Sequence, residues 1–306
     1  MWDAAAVVLK TMEYAATLAA SGAVLFLAVC GRLLTSAELT RLRRCMLAAL
    51  VIAAATGGAR IFATAGALGG DAAGMMSGPL LSMAWHGGLG LALTIRVASL
   101  GIATLAARVH HPSVAGVAAA VAAATSFVWV GHARALPAPA LPTALESVHL
   151  VCAAFWIGSL APLLMIVRGP DPARAAEAAA RFSAAATLAV GVLVLAGAFL
   201  LRALLPDLAS LWTSEYGRLV ALKLATVALL LGLAALNKWR LTPRLRGGDA
   251  GAVRGLSASI AAEMVLAAAV LALTAAFTTI SGPPDAADAT RTTNTGPPES
   301  GLQSFS

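Results

Sequence analysis

Long apolar runs, interrupted by short polar or proline-containing segments, account for most of the chain. Each run approaches the roughly 20 residues that an α-helix needs to cross the hydrocarbon core of a bilayer. Arginines, histidines, prolines and glycines cluster between the runs and mark the connections. The pattern predicts eight transmembrane helices, at about residues 9–31, 46–68, 84–107, 113–133, 144–167, 183–205, 217–238 and 257–280.

The composition favours lipid over water as the solvent. Hydrophobic residues make up 59% of the chain and charged residues only 11%, whereas a soluble domain carries about 25% charged residues. Alanine is abundant and there are 28 glycines, and small residues let helices approach closely in a membrane. We therefore predict an all-α, polytopic membrane helical bundle.

The domain organisation follows the same pattern. Residues 1–280 are predicted to form the transmembrane domain. The segment 281–306 is rich in Thr, Pro, Gly, Ser and Asp, a composition typical of a disordered tail. No internal repeat is evident, so a repeat-based transporter fold is not supported.

The distribution of positive charge predicts the orientation. Thirteen of the 21 Lys and Arg residues fall in the first, third, fifth and seventh connections, against four in the even connections and the tail. Cytoplasmic connections carry the excess of Lys and Arg in membrane proteins. We therefore expect the odd connections inside and both termini outside. This bias also explains the net charge of +7 without invoking nucleic acid.

The predicted orientation brings three of the five histidines, His86, His132 and His149, to one outer level. An imidazole in or near lipid needs a partner, a metal ion or water, and histidine is the commonest metal ligand. Three methionines also belong to the outer side, namely Met75, Met76 and Met83. Thioether and imidazole groups together suit copper, Cu(I) above all. The alternatives are hydrogen-bonded structural histidines and methionines that pack at the interface.

The segment around His149 adds two further candidates. His149, Cys152 and Trp156 fall on one helical face. Glu146 lies one turn before His149, where a carboxylate could accept the imidazole N–H and fix its tautomer. Equally, Glu146 is an acid in a first helical turn, which the helix dipole favours. Cys152 is a weaker candidate for a soft ligand, because a buried cysteine usually acts as a small hydrophobe.

Charged residues also lie within the predicted spans. Glu13, Arg60 and Lys223 fall in the outer half and are expected to form one polar cluster, although snorkelling would also explain Arg60 and Lys223. Arg96 lies deeper, which favours an interior position. Glu263 lies towards the inner side and is a candidate for an ion or proton path. No nucleotide-binding or hydrolase motif appears, so nothing indicates ATP-driven chemistry. A transporter is favoured over an enzyme, although bound haem would allow redox activity.

Several segments of the second half resemble the copper resistance protein D family of bacterial inner-membrane proteins. The resemblance covers about residues 125–280 in order and is carried by Gly131-His132-Ala133, Leu145-Glu146-Ser147-Val148-His149-Leu150, Phe155-Trp156-Ile157-Gly158-Ser159-Leu160, Arg181-Phe182-Ser183, Tyr216-Gly217-Arg218-Leu219 through Lys223-Leu224, Leu236-Asn237-Lys238 and Pro243-Arg244-Leu245. The first four spans match chiefly in hydropathy and in His86. The family usually has Asp where Glu146 stands and Gly where Ser159 stands. The first change keeps the acid, and the second replaces one small residue by another.

The resemblance implies copper as the substrate, moved across the inner membrane with a periplasmic copper-binding partner of the copper resistance protein C type. That partner would be a separate chain that docks at the outer face. Two alternatives stay open. One is a transmembrane b-type cytochrome that uses the same histidines as haem ligands for electron transfer. The other is a receptor or scaffold whose outer histidines bind copper only for sensing.

Overall fold

A computed structural model describes residues 2–130, 139–204, 210–213 and 215–280. Within these ranges the chain is helical and contains no strand. The α-helices are α1 Trp2–Cys30, α2 Ser36–Gly69, α3 Gly78–Ala84, α4 Gly90–Ala106, α5 Val114–Thr125, α6 Ala140–Val167, α7 Pro172–Leu204, α8 Ser210–Thr213, α9 Glu215–Leu236, α10 Thr242–Arg246 and α11 Ala250–Ile280. Short 3₁₀ or π-helical turns extend several of them, at Gly31–Leu33, Ala73–Met76, Trp85–Leu89, Ser126–Val130 and Asn237–Leu241. The predicted tail, 281–306, lies outside the described residues.

Seven helical segments in the described ranges are long and apolar enough to cross a membrane. They are Trp2–Leu33, Ser36–Gly69, Gly78–Ala106, Ala140–Val167, Pro172–Ala203, Gly217–Arg246 and Gly251–Thr279. The prediction of an all-α, polytopic membrane bundle is therefore confirmed. The fourth predicted span, 113–133, corresponds to a shorter apolar helix, Val114–Val130.

The shorter helix nevertheless returns the chain to the level of Tyr14 on α1. The ring of Phe127 lies 4.4 Å from the ring of Tyr14 on α1, while the loop before α5 meets the other end of α1. At that end an ideal Cβ on Gly31 would lie only 1.8 Å from the carbonyl oxygen of His110. α5 and the turn after it therefore run antiparallel to the part of α1 that follows Tyr14. The predicted alternation of direction is thus kept through this shorter apolar helix, Val114–Val130.

The first, third and fifth connections meet at one end of the bundle. His110 Nε2 donates to the carbonyl of Leu34 at 3.1 Å, so the third connection lies against the first. Arg174 at the start of α7 donates to both carboxylate oxygens of Glu38 and to the carbonyl of Leu33. These contacts join the first, third and fifth connections, as the predicted alternation requires. Which side of the membrane they face stays a prediction of the charge count.

α1 is the central helix, and glycines let α6 approach its backbone. An ideal Cβ on Gly22 would lie 1.7 Å from the carbonyl oxygen of Ala154 and 2.8 Å from Cα of Gly158. Without side chains at these two glycines, the helices are in backbone contact, which is how small residues promote packing in lipid. This contact fixes α6, and with it His149 and Trp156, relative to α1.

A break in the third span positions His86. The α-helix gives way to a π-helical turn at Trp85–Leu89, and Gly88 there has a φ of 101°. That backbone conformation suits glycine, which has no Cβ to clash. π-Helical turns within membrane helices often occur at functional sites. His86 therefore sits on the irregular turn rather than on a regular helical face.

Candidate functional site

The imidazole of His86 is exposed and held by its own helix. Its Nδ1 lies 2.8 Å from the carbonyl oxygen of Ser82 and 3.2 Å from the hydroxyl of the same residue. Because a carbonyl oxygen only accepts hydrogen bonds, the shorter contact places the proton on Nδ1. The lone pair of Nε2 then stays available to bind a metal ion.

His149 on α6 has the same arrangement, but with a partner on another helix. Its Nδ1 lies 3.1 Å from the carbonyl oxygen of Leu193 on α7, which again leaves the Nε2 lone pair free. Gly197 makes room for the ring, since an ideal Cβ there would lie 3.3 Å from His149 Cε1. The hydrogen bond to Leu193 holds His149 against α7. The sequence alone did not indicate this hydrogen bond.

His132 lies outside the described residues, which end at Val130 on this side. An ideal Cβ on Gly88 would lie 3.4 Å from the carbonyl oxygen of Trp129 and from the side chain of Val130. The turn that carries His86 therefore contacts the chain just before His132. His110 and His111, by contrast, bond to Leu34 and Arg32 at the opposite end of the bundle.

The three predicted methionines do not share one environment. Met76 is 78% exposed and Met83 is 60% exposed, so both thioethers are open to solvent or to a partner. Met75 instead packs inward, with its Cγ 2.8 Å from an ideal Cβ on Gly66. In the part of the chain that the structure describes, no group of three or more His, Cys, Asp or Glu side chains is arranged to hold a metal ion.

The carbonyl of Leu193, rather than Glu146, is the hydrogen-bond partner of His149 Nδ1. Oε2 of Glu146 is buried and has no hydrogen-bond partner among the described residues. Lys10 and Lys223 lie close enough to interact electrostatically with its carboxylate. Cys152, one turn beyond His149, is a half-buried free thiol.

Glu13 forms a buried cluster with two arginines on different helices. Its carboxylate accepts hydrogen bonds from Arg60 on α2 and from Arg96 on α4. Arg96 also donates from Nε to the hydroxyl of Ser126 at 3.0 Å, and its guanidinium lies 3.8 Å from the centre of the Phe127 ring. The cluster ties α1, α2, α4 and the end of α5 together.

The predicted pairing of Glu13 and Arg60 is present, but Lys223 is not the third member of the cluster. Lys223 lies on α9, where its ammonium is 5.1 Å from the centre of the Phe277 ring. Arg96 takes its place because α4 packs beside α1, whereas α9 packs against α11. The sequence predicted how deep each charged residue lies along its span, but it did not predict which helix would lie beside α1.

Glu263 on α11 is held by two donors, and the sequence alone connected neither of them with it. The indole Nε1 of Trp156 donates to its Oε2 at 3.2 Å, and Nδ2 of Asn237 donates to its Oε1. The sequence placed Trp156 on the His149 face and in a segment that carries the family resemblance, but not beside Glu263. Asn237 begins a π-helical turn, Asn237–Leu241, a feature that hydropathy does not reveal.

The comparisons with known proteins agree with this architecture. The sequence model described as copper resistance protein D matches residues 176–277, and the model described as the copper resistance protein D-like N-terminal domain matches residues 1–140. The first contains α7 to α11 up to Phe277, with Asn237 and Glu263. The second contains α1 to α5 with the Glu13 cluster. No solved structure matches the chain.

Two curated relatives carry matching segments. The copper transport protein CutJ of Bacillus subtilis (strain 168) is 29% identical over 163 residues, which is 52% of this chain and 29% of that protein. The inner membrane protein YebZ of Escherichia coli (strain K12) is 30% identical over 138 residues, or 44% of this chain and 47% of that protein. The chain thus matches less than half the length of each. The two family matches and these relatives confirm the resemblance: this multi-pass membrane protein belongs to the copper resistance protein D family.

Proposed function

We propose that the protein imports or conducts copper across the bacterial inner membrane, taking it up at the outer face. His86, His132 and His149 would bind the ion, and Met75, Met76 and Met83 would capture it first. The observation that carries this proposal is that His86 and His149, the two described outer histidines, make the same kind of hydrogen bond. Each bonds a backbone carbonyl through Nδ1 and so keeps Nε2 free for a metal ion.

The family and the relatives support the choice of substrate and membrane. The Bacillus relative is named as a copper transport protein, and the Escherichia relative is named as an inner membrane protein. Soft thioether ligands and imidazoles together favour Cu(I) over harder ions. The exposed thioethers of Met76 and Met83 suit transfer from another protein, so a periplasmic partner of the copper resistance protein C type is proposed to dock there.

A b-type cytochrome is the second candidate, and one observation favours it. His86 and His149 each bond a carbonyl through Nδ1, which leaves free the ring nitrogen that an axial haem ligand would also use. A bound haem would supply electron-transfer chemistry, with a histidine as axial ligand. A visible spectrum and metal analysis on one purified sample distinguish the two candidates, since only haem gives a Soret band.

The test of transport is copper accumulation in cells that express matched amounts of each variant. His149→Ala and His86→Ala are expected to lower accumulation by about tenfold or more, since even partners of metal ligands contribute about 10- to 100-fold. His111→Ala, which lies at the opposite end of the bundle, is the control and should accumulate copper normally. Unchanged accumulation in the outer variants contradicts the proposal and favours a sensing role if they still bind copper.

A further inference from the structure

Glu263 is a buried carboxyl group without a counter-charge. It is 2% exposed, and none of the ion pairs found among the described residues includes it. An acid in the middle of a membrane span is tolerated when it is neutralised or solvated by donors. Its neighbours therefore decide which forms of the acid the protein can hold.

The two neighbours of Glu263 can satisfy the acid in both of its protonation states. Trp156 is a donor only, and it bonds one carboxylate oxygen. The Asn237 amide donates to the other oxygen, and its own carbonyl oxygen is buried without a partner. If Glu263 takes up a proton on that oxygen, a half-turn of the amide presents its carbonyl as the acceptor. The unpartnered Asn237 Oδ1 is thus the group that the protonated acid requires.

A second unpartnered polar atom lies one turn away on the same helix. Ser259 precedes Glu263 by four residues on α11, so the two side chains fall on one face. The serine is 7% exposed, and its hydroxyl is buried with no partner among the described residues. A hydroxyl both donates and accepts, so Ser259 is a second polar group on the face of α11 that carries Glu263.

The site lies on the same face of α6 as His149. Trp156 follows His149 by seven residues, or roughly 10 Å along the helix axis. His149, the candidate metal ligand, and Trp156, the donor to Glu263, therefore lie along one seam, the interface between α6, α7, α9 and α11. At the far end of this seam, Lys238 donates to the hydroxyl of Thr187 at 2.8 Å, which joins the π-helical turn to α7.

Charged and titratable side chains occur on the elements that pack against α11 and include Cys30 on α1, Lys223 on α9 and Arg244 on α10. α6 contributes Cys152 and His149 on the outer side of Trp156. The π-helical turn contributes Lys238, whose ammonium is bonded to Thr187 on α7. α11 itself contributes Arg254, more than two turns before Glu263. A proton is therefore the ligand that this buried carboxyl group, with two neutral donors and an unpartnered acceptor, is built to take.

We propose that Glu263, Trp156 and Asn237 form an intramembrane proton-binding site, and that it exchanges a proton as copper moves through the seam between α6, α7, α9 and α11. The binding site stands on its own contacts. The coupling to copper rests on the proposed function.

Infrared difference spectroscopy of the purified protein in lipid, recorded across pH, tests the binding site. The wild type is expected to show the C=O band of a buried protonated carboxylic acid. Glu263→Gln should remove that band, and Asn237→Leu should shift it because the acid loses its acceptor. Glu177→Gln, which changes an exposed acid paired with Arg181, is the control and should keep the band. A band that persists unshifted in Glu263→Gln overturns the site.

Proteoliposomes that contain a pH-sensitive dye test the coupling, with copper added outside. The wild type should move protons when copper enters. In Glu263→Gln this proton movement should fall at least about tenfold, and Glu263→Asp should partly restore it. Copper entry without proton movement in the wild type overturns the coupling alone. No copper entry in the wild type overturns the proposed function and the coupling together, while the infrared band still decides the site.

Discussion

Replacement of Glu13 by glutamine is expected to remove most of the folded protein from the membrane. Among the described residues, Glu13 is the one carboxylate that pairs with both Arg60 and Arg96, and both Glu13 and Arg96 are almost fully buried. Removing one partner of a buried ion pair typically costs about 3–5 kcal/mol, because the remaining charge is left uncompensated. Here two guanidinium groups would lose their shared partner in one substitution.

That cost is large against the stability of a typical protein, which is about 5–15 kcal/mol. The measurement is the thermal unfolding temperature of the purified protein in detergent, together with its amount in the membrane. Glu177→Gln breaks an exposed pair with Arg181 and serves as the matched control, since such pairs contribute about 0–1 kcal/mol. Wild-type stability in Glu13→Gln would contradict the structural role of the cluster.

A second variant separates charge imbalance from loss of packing. Combining Glu13→Gln with Arg96→Met removes the most deeply buried guanidinium along with the carboxylate. The stability of the double variant is expected to exceed that of Glu13→Gln, because fewer charges remain unpaired. An equal or lower stability in the double variant would point to packing around Arg96, which lies against the Phe127 ring.

Replacement of Gly22 by leucine is expected to separate α1 from α6. Even an alanine Cβ would lie 1.7 Å from the carbonyl oxygen of Ala154, and backbone atoms cannot move aside as a side chain can. Overpacking of a core typically costs about 1–3 kcal/mol and occasionally more. A clash between two backbones belongs at the upper end of that range. Gly158→Leu meets the same surface from the other helix, with Cα of Gly22 2.5 Å from its ideal Cβ.

The matched control is a glycine with space around it. An added Cβ on Gly191 of α7 meets nothing within 4 Å, so Gly191→Ala should leave thermal unfolding unchanged or raise it slightly. Gly22→Ala and Gly22→Leu should both lower it, with leucine lowering it more. If Gly22→Leu unfolds like the wild type, the close contact between α1 and α6 is not required for the fold.

Hydropathy located the passes but not the helix ends. α2 begins at Ser36, ten residues before the apolar run predicted at 46–68, because its start is set by local hydrogen bonds. Thr35 and Glu38 form a reciprocal capping box there, and such caps fix a helix start whatever the hydropathy of the first turns. The same turn is tied to α7 through Arg174, so the arginine-rich first connection is mostly helical.

In the candidate site, the sequence indicated the individual residues but not the groups that they contact. The sequence identified His86, His149 and Glu263 as single residues whose type is unusual in a membrane. It did not identify Leu193, whose carbonyl binds His149, or Asn237, whose amide binds Glu263. Those partners are a backbone atom and a neutral side chain on other helices. Period and composition carry no information about which helices lie side by side, so only the structure reveals such contacts.

The Glu13 cluster also sets an order of events during membrane insertion. Glu13 leaves the ribosome 83 residues before Arg96, its buried partner on α4. Until α4 has been synthesised and inserted, α1 carries a carboxylate that no Arg96 neutralises, and such a helix partitions poorly into lipid on its own. The first helix must therefore be retained beside the insertion machinery, or in contact with α2, until the third pass arrives. The polar contacts of the central helix α1 are therefore completed only after α4 has been inserted.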